Sequence, residues 1–435
     1  GIILPESIRR VGAAAFKGCG ELRRVYWPSG TDKLEPEVFS GCRKLEKVEV
    51  LGDAEEGTAR KAGGRIIWRA VGRRAFYGCE SLQSVCLEYV REIGAEAFSG
   101  CRSLGPGCVA CVSDAAPHPG QSGMGGEDVR EPGDREAEEV RSVMEALRRM
   151  PRIGERAFED TAFPERNPDG LEVVGNIVVS GQSCRGEVCL PDGILGISPY
   201  AFAGNRDITE VTLPGSLLSI GEGAFWGCGG LAKVRFPKGR CGIGQNAFAK
   251  CASLREVSAA ALRVGRGAFA YCTSLGRAFV SGISILPQRM FEGCGKLTEC
   301  SCGHVKAVGA YCFSGCGSLA YFDFSSVYVV REYAFEGCDS LRQAVFLEDG
   351  ICVSAHGFAD CGRLEEIRLW GKEGLVRLKE YAFSGCTALR RVGIGERDWE
   401  CCSYGDIVSE RIPETARLIF DRAMSSFEVE REDIL

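Results

Sequence analysis

The chain has 435 residues, 45% apolar and 26% charged, with a net charge of -6 from 53 basic and 59 acidic side chains. That length is ample for a sizeable core, and the charge balance offers neither the footprint of a nucleic-acid binder nor a polybasic membrane patch. No apolar run approaches the roughly 18 residues of a membrane span, and 24 cysteines are many for an ordinary domain yet too dilute for a small disulfide scaffold.

The chain opens at Gly1-Ile2-Ile3-Leu4-Pro5 in mid-repeat. Native sequence is therefore expected upstream, Gly1 reads as an expression scar, and the lack of a leader carries no information. Phe16 and Phe39 head the first copies of a unit that recurs at Phe76, Phe98, Phe158, Phe202, Phe225, Phe248, Phe269, Phe291, Phe313, Phe335, Phe358 and Phe383, fourteen in all. From Phe202 onward the spacing stays between 21 and 25 residues, a period that signals a solenoid. Each unit reads approximately IGxxAFxGCxxLxxVxLP, as in Ile220-Gly221, Ala224-Phe225, Gly227-Cys228, Leu231, Val234, Phe236 and Pro237. The alternation through Val234, Arg235 and Phe236 predicts a short strand with one buried face. Coils of equal length travelling the same way must stack these strands in parallel at roughly 4.8 Å. A second apolar pair, such as Ile8 with Val11 or Val305 with Val308, predicts the opposite wall. The glycine that follows it (Gly12, Gly94, Gly154, Gly221, Gly265, Gly309) is expected to supply a turn of positive φ. The phenylalanines are expected to pack edge to face at the corner.

Residues 1–104 form an N-terminal array with about 15 extra residues near 50–64, glycine-rich and polar, which predict a surface loop. Residues 105–150 are an insertion. It starts with Gly105-Pro106-Gly107 and a low-complexity stretch whose composition favours disorder. From Asp134 to Met150, Ala137, Val140, Met144 and Leu147 recur at helical spacing, acidic residues lead, Arg148 and Arg149 end the run, and Pro151 follows. That predicts a helix over 134–150, docked outside the solenoid. The main array runs over 151–395. Its first unit, from Phe158-Glu159-Asp160-Thr161 into Val173, Val174 and Ile177, lacks the FxGC core, and Asn205 replaces cysteine in the next. Residues 396–435, with Leu418-Ile419-Phe420 as a last strand, predict a C-terminal cap. The first coil has no such cap and offers an open edge.

These units closely resemble the BspA-like group of leucine-rich repeat proteins, and the match covers nearly the whole chain outside the two insertions. The resemblance implies a β-rich repeat solenoid of the α/β leucine-rich repeat class, curved and right-handed, with one parallel strand per coil in about fourteen coils. It further implies a cell-surface or secreted protein that works in adhesion or partner binding and not in catalysis.

The motifs that could carry chemistry have repeat-based explanations. Gly242 to Ala247 matches GxGxxA, but no strand-helix unit or distal acid accompanies it, and IGxxAF is the repeat itself. Cys108 and Cys111 form a CxxC near His118 without the second pair that zinc needs. Cys300 and Cys302, near His304, occupy the Val and Leu slots of a strand and read as core. With three histidines in the chain, no nucleophile arrangement can be built. The sequence implies no enzyme, no cofactor and no metal.

Binding through the strand face is the favoured reading, because parallel strands array side chains in rows. The outward slots mix both signs with Tyr26, Phe279 and Tyr321, which suits a protein or carbohydrate partner better than a polyion. The candidate patch is Arg235, Phe279, Tyr321, Asp323 and Arg368, with no nucleic acid and no membrane insertion expected. The alternative is a structural or intracellular scaffold with reduced thiols. Twelve cysteines, from Cys19 and Cys42 to Cys361 and Cys386, share one repeat slot. They read as small buried hydrophobes, mostly free.

Overall fold

The computed structural model describes residues 1–51, 62–64, 68–87, 90–105, 109–110, 141, 145, 150, 152–163, 167–370, 376–394 and 397–400. They form a parallel-strand β-solenoid of about fourteen turns with almost no helix. Two compact units are present, one made of Gly1–Cys184, Pro191–Phe202 and Ser216–Gly221, the other of Arg185–Leu190, Ala203–Gly215 and Glu222–Leu435.

In the first unit the LxxVxL segments Ile2–Ile3, Arg24–Trp27 and Lys47–Leu51 pair in parallel, with Val25 opposite Val48. The opposite wall is a ladder of two-residue strands, Lys33–Leu34, Ala70–Val71, Glu92–Ile93 and Arg152–Ile153. In the second unit the longer strands are Gly186–Cys189, Ile208–Thr212 and Lys233–Arg235, then Glu256–Val264, Arg277–Ser281 and Glu299–Ser301. Gln343–Phe346, Glu366–Leu369 and Arg391–Ile394 complete that set. The shorter wall there runs through Ile285–Leu286, Ala307–Val308, Val329–Val330, Cys352–Val353 and Arg377–Leu378.

A third set of hydrogen bonds ties the corners together. The Phe16 N–H donates to the carbonyl of Val38 (2.9 Å), Phe248 to Ala268 (2.8 Å) and Phe313 to Ala334 (2.7 Å), each from one coil to the next. Making this contact while reversing the chain requires left-handed backbone. In all fourteen coils the residues two before and two after the phenylalanine have positive φ. The later position is glycine in most coils, but Asp160, Lys250, Tyr271 and Asp360 hold it too; the earlier one is mostly a side-chain-bearing residue, from Ala14 (φ 56°) to Tyr381 (φ 56°).

The expectation for the glycine after the short strand is thereby corrected. Gly94, Gly154, Gly221, Gly265 and Gly309 do not have positive φ; they are small because the neighbouring coil is close. A Cβ on Gly94 would sit 2.4 Å from the Arg73 nitrogen, whereas one on Gly12, in the first coil, would meet nothing within 4 Å.

The corner phenylalanines differ from expectation as well. They stack face to face at 5.2–5.5 Å from Phe16 through Phe158 and at 5.0–5.7 Å from Phe225 through Phe383, with interplanar angles of 20° or less. One rotamer translated by one coil keeps the rings parallel, and the offset stack satisfies their quadrupoles. Edge contacts come instead from strand residues, such as Trp27 on Phe39 (63°) and Phe236 on Phe248 (62°).

The cysteine row completes the corner. Among the described residues, ten phenylalanine carbonyls accept the thiol of the next coil's cysteine, and nine of these also accept the N–H of their own coil's cysteine. Phe16 O takes Cys19 N at 3.1 Å and Cys42 Sγ at 2.9 Å, and the thiol bond recurs from Cys79 to Cys386 at 3.1–3.3 Å. The described cysteines are free thiols. Burial raises the pKa of Cys42 to about 11 and that of Cys294 to about 12.

Both insertions leave the ladder and return in register: Phe39 stacks on Phe76 and Phe98 on Phe158. The loop expected at 50–64 ends in a strand, Ala62–Gly64, antiparallel to Lys47–Leu51, while 52–61 lie outside the described residues. So does most of 134–150, of which Arg141 and Glu145 are helical and exposed. The Phe158 corner keeps the regular backbone, with Arg156 and Asp160 left-handed. The irregular coil is the following one. There Gly181 takes the phenylalanine slot, its N–H donating to Ala201 O (2.8 Å), and a Cβ on it would lie 1.9 Å from the Phe202 ring. That coil enters through an antiparallel hairpin, Glu172–Val174 with Ile177–Ser180. At the other end, Arg397–Glu400 turns back antiparallel on Arg391–Ile394, and the rest of the expected cap lies outside the described residues.

Four outcomes test this account. Phe269→Ala, in mid-stack, should cost about 3–5 kcal/mol in urea unfolding, and Phe16→Ala, half-buried in the first coil, clearly less. Gly315→Ala should cost about 1–2 kcal/mol for its left-handed φ alone, and Gly94→Ala more than that because it strikes backbone. The neutral thiol is the form the fold prefers, so stability should be complete below about pH 8.5, the unfolded thiol value, and fall as pH rises toward the raised folded values. Iodoacetamide should label the exposed Cys19 and Cys189 in the native protein and Cys272, Cys294 and Cys316 only after unfolding.

Candidate interaction surface

The strand face is a set of rows one coil apart, and its opposite charges largely neutralise each other between coils. Arg235 donates to Glu210, Arg277 to Glu256 (2.6 Å), and Arg391 lies 3.6 Å from Glu366. Hydrogen bonding from Arg235, with charge support from Arg235 and Lys233, holds the Glu210 carboxyl below its usual range. Arg235, expected as a ligand contact, is therefore engaged within the protein. It also lies four coils before Tyr321. Phe279 is half-buried, in register with Ser258 and Ser301 two coils before Tyr321.

Tyr321 and Asp323 line one cleft, and Arg368 lies two coils beyond them. In the second unit, among the described residues, every coil contributes a longer strand except the one headed by Phe313. Its segment Tyr321-Phe322-Asp323-Phe324 puts rings into both inward slots. Phe322 is 3% exposed and packs on Phe313 and Phe335, in the slot where neighbouring coils place Cys300 and Ala344. Phe324 packs on Phe335, Phe346 and Phe358. A ring needs more depth than the usual valine, and the backbone stands off the ladder, which ends at Glu299–Ser301 and resumes at Gln343–Phe346.

The step leaves a cleft of about 190 Å³ between Tyr321–Ser325 and the outward face of Gln343, Val345 and Leu347. Asp323 is exposed and its Oδ1 accepts the Ser325 N–H at 2.9 Å. Val345 is paired in register with Arg368, whose guanidinium lies 3.5 Å from Glu366 and 5.5 Å from the centre of the Trp370 ring. Tyr321 is 58% exposed and Leu347 54%, both lining the cleft, and Trp370, one coil beyond Leu347, is 44% exposed. Leu347 and Trp370 escaped the reading of the sequence. They occupy the position where other units have Pro28, Pro214 and Pro237, and that departure was the available signal.

A second aromatic row lies at the corners, where Tyr311, Tyr333, His356 and Tyr381 stack at 4.6–5.2 Å and Arg289 covers Tyr311. Its ring faces are spent on one another, which leaves mainly edges for a partner. Gly242 to Ala247 is a short strand running into a corner. Cys300 and Cys302 are buried, 3.6 Å apart. Among the described residues no group of three metal-ligating side chains converges, and no helix is long and apolar enough to cross a membrane. Cys108, Cys111 and His118 lie outside the described residues.

No curated protein matches the chain. Among solved structures, a leucine-rich repeat protein from Bacteroides ovatus is 20% identical, covering 90% of this chain and 77% of its own, with a TM-score of 0.33. A leucine-rich cell surface protein from Faecalibacterium prausnitzii is 22% identical over 67% and 62%, with a TM-score of 0.32. The pneumococcal vaccine antigen PcpA is 13% identical over 91% and 89%, with a TM-score of 0.34. The family model for the BspA type leucine rich repeat region matches in six copies, over residues 1–56, 68–105, 195–320 and 306–404. With that match over more than half of its length, and the corner of phenylalanine, glycine and cysteine repeated through its coils, the chain belongs to the BspA-type leucine-rich repeat family.

Proposed function

We propose that the protein is a noncatalytic binding or adhesion module that contacts a protein partner through the strand face, centred on the coils headed by Phe313, Phe335 and Phe358. The observation that carries this reading is the cleft lined by the exposed Tyr321 and Leu347, with the exposed Trp370 one coil beyond Leu347. A concave opening rimmed by aromatic and polar side chains has the composition of an interface centre. The corner hydrogen bonds hold it on a stiff frame, so little ordering cost attaches to binding. Leucine-rich repeat proteins generally bind proteins, and membership of the family supports a cell-surface or secreted location. The free thiols favour the alternative, an intracellular scaffold, since exported proteins tend to oxidise their cysteines.

The test is a binding screen of cell-surface and matrix proteins and of glycans against the intact chain and two variants, Tyr321→Ala and Trp370→Ala. Both side chains are exposed, so thermal unfolding should stay close to that of the parent. A partner of the strand face should lose about thirtyfold or more in affinity with at least one variant. Equal binding by parent and variants would move the site elsewhere on the solenoid.

A further inference from the structure

Four exposed rings of this protein share a habit. Tyr77, 43% exposed, carries Arg74 over its ring at 5.4 Å. Trp226, 40% exposed, carries Lys250 at 4.9 Å, and Trp370, 44% exposed, carries Arg368 at 5.5 Å. Tyr381, 52% exposed, stacks on His356. Tyr321 is more exposed still, at 58%, and, like Tyr271 and Tyr328 at 44% and 40%, has neither a cation nor a second ring over it among the described residues; of these three it is the one that lines the cleft. Two residues on, the carboxylate of Asp323 takes one backbone N–H through Oδ1 and has no ion-pair partner among the described residues. The nearest guanidinium in register with the cleft, that of Arg368, is already held by Glu366 and Trp370.

Resting on the strand-face reading above, we propose that the partner is a protein that inserts a lysine or arginine side chain into this cleft. The cationic head lies over the Tyr321 ring and pairs with Asp323, and the aliphatic stem runs across Val345 and Leu347. The chemistry is that of the intramolecular pairs on the same surface: a ring face attracts a cation, more strongly once water is excluded, and long basic side chains bury their stems on apolar surface. The cleft, about 190 Å³, is below the size of a site for a whole small-molecule ligand. It matches one protruding side chain, the manner in which an anchor residue engages an interface. Asp323 then discriminates by sign, because an acidic or merely apolar guest leaves it desolvated and unpaired.

The test is selection of a random linear peptide library on the intact chain, followed by affinities for the parent, Tyr321→Leu, Asp323→Asn and Trp370→Ala, with thermal unfolding as the check on folding. The expected result is peptides sharing one lysine or arginine whose replacement by norleucine weakens binding about tenfold. Asp323→Asn should cost a similar factor, and combining the two changes little more, since both remove one interaction. Peptides without a shared basic residue, full binding to Asp323→Asn, a library that yields no binder, or Tyr321-dependent binding of glycans in place of peptides would each overturn the basic guest. Binders that ignore Asp323→Asn but fail on Trp370→Ala would leave the strand-face reading standing without it. Binders indifferent to every variant would overturn both.

Discussion

The hydrogen bond that runs from the corner phenylalanine N–H of eleven coils to the carbonyl just before the next phenylalanine sets the spacing on which the rest of the structure depends. It holds successive coils one strand apart at their tightest bend, so the two strand walls can pair without slippage. At that spacing a phenylalanine of fixed rotamer meets its copy face to face, and a cysteine three residues later reaches the carbonyl of the preceding coil with its thiol. The same closeness leaves the backbone little choice at the corner. Two left-handed residues flank every phenylalanine, whether they are glycine, arginine, tyrosine or histidine. Strain of that kind persists when the surroundings over-determine it, and here three ladders do so together.

The cysteines take their place within this scheme. An alanine in the slot would leave one lone pair of a buried carbonyl without its thiol donor, and a larger side chain would not fit against the stacked rings. Cysteine is small, apolar and a weak donor, which suits a site that needs a little of each. Burial of the thiol then disfavours its ionised form, so these side chains are poor nucleophiles as well as well-packed ones. A composition that suggests redox or metal chemistry is explained by packing.

Much of the fold was legible because it is periodic. A single corner solution repeated fourteen times imprints Phe, Gly and Cys on the sequence at fixed spacing, and both insertions show up as breaks in that spacing. What was not legible is the contact each residue makes with its copy. Edge-to-face packing is a sound expectation for an isolated pair of rings, yet translation between coils imposes a parallel stack. A turn glycine is likewise a sound reading of Gly94, though the demand comes from the backbone of Arg73. The irregular coil shows in the sequence only as a gap of two unit lengths between Phe158 and Phe202, because Gly181, standing in the phenylalanine slot, carries no side chain to mark it. At the candidate surface, Tyr321 and Asp323 could be picked out as outward residues, and Arg368 lies two coils on. Phe322 looked like one more core residue, and its effect on the strand depends on how deep the core is at that coil.

The sequence by itself determined the repeat, its family, the strand and corner of each coil and the free, buried character of the cysteine row, because these follow from a local pattern copied many times. The tertiary structure alone decided which side chains share a surface. It set Arg235 apart by pairing it with Glu210, placed Leu347 in one cleft with Tyr321, and opened that cleft where two phenylalanines hold one strand off its ladder. Those outcomes depend on the register between coils and the depth of the core, quantities that no single repeat contains.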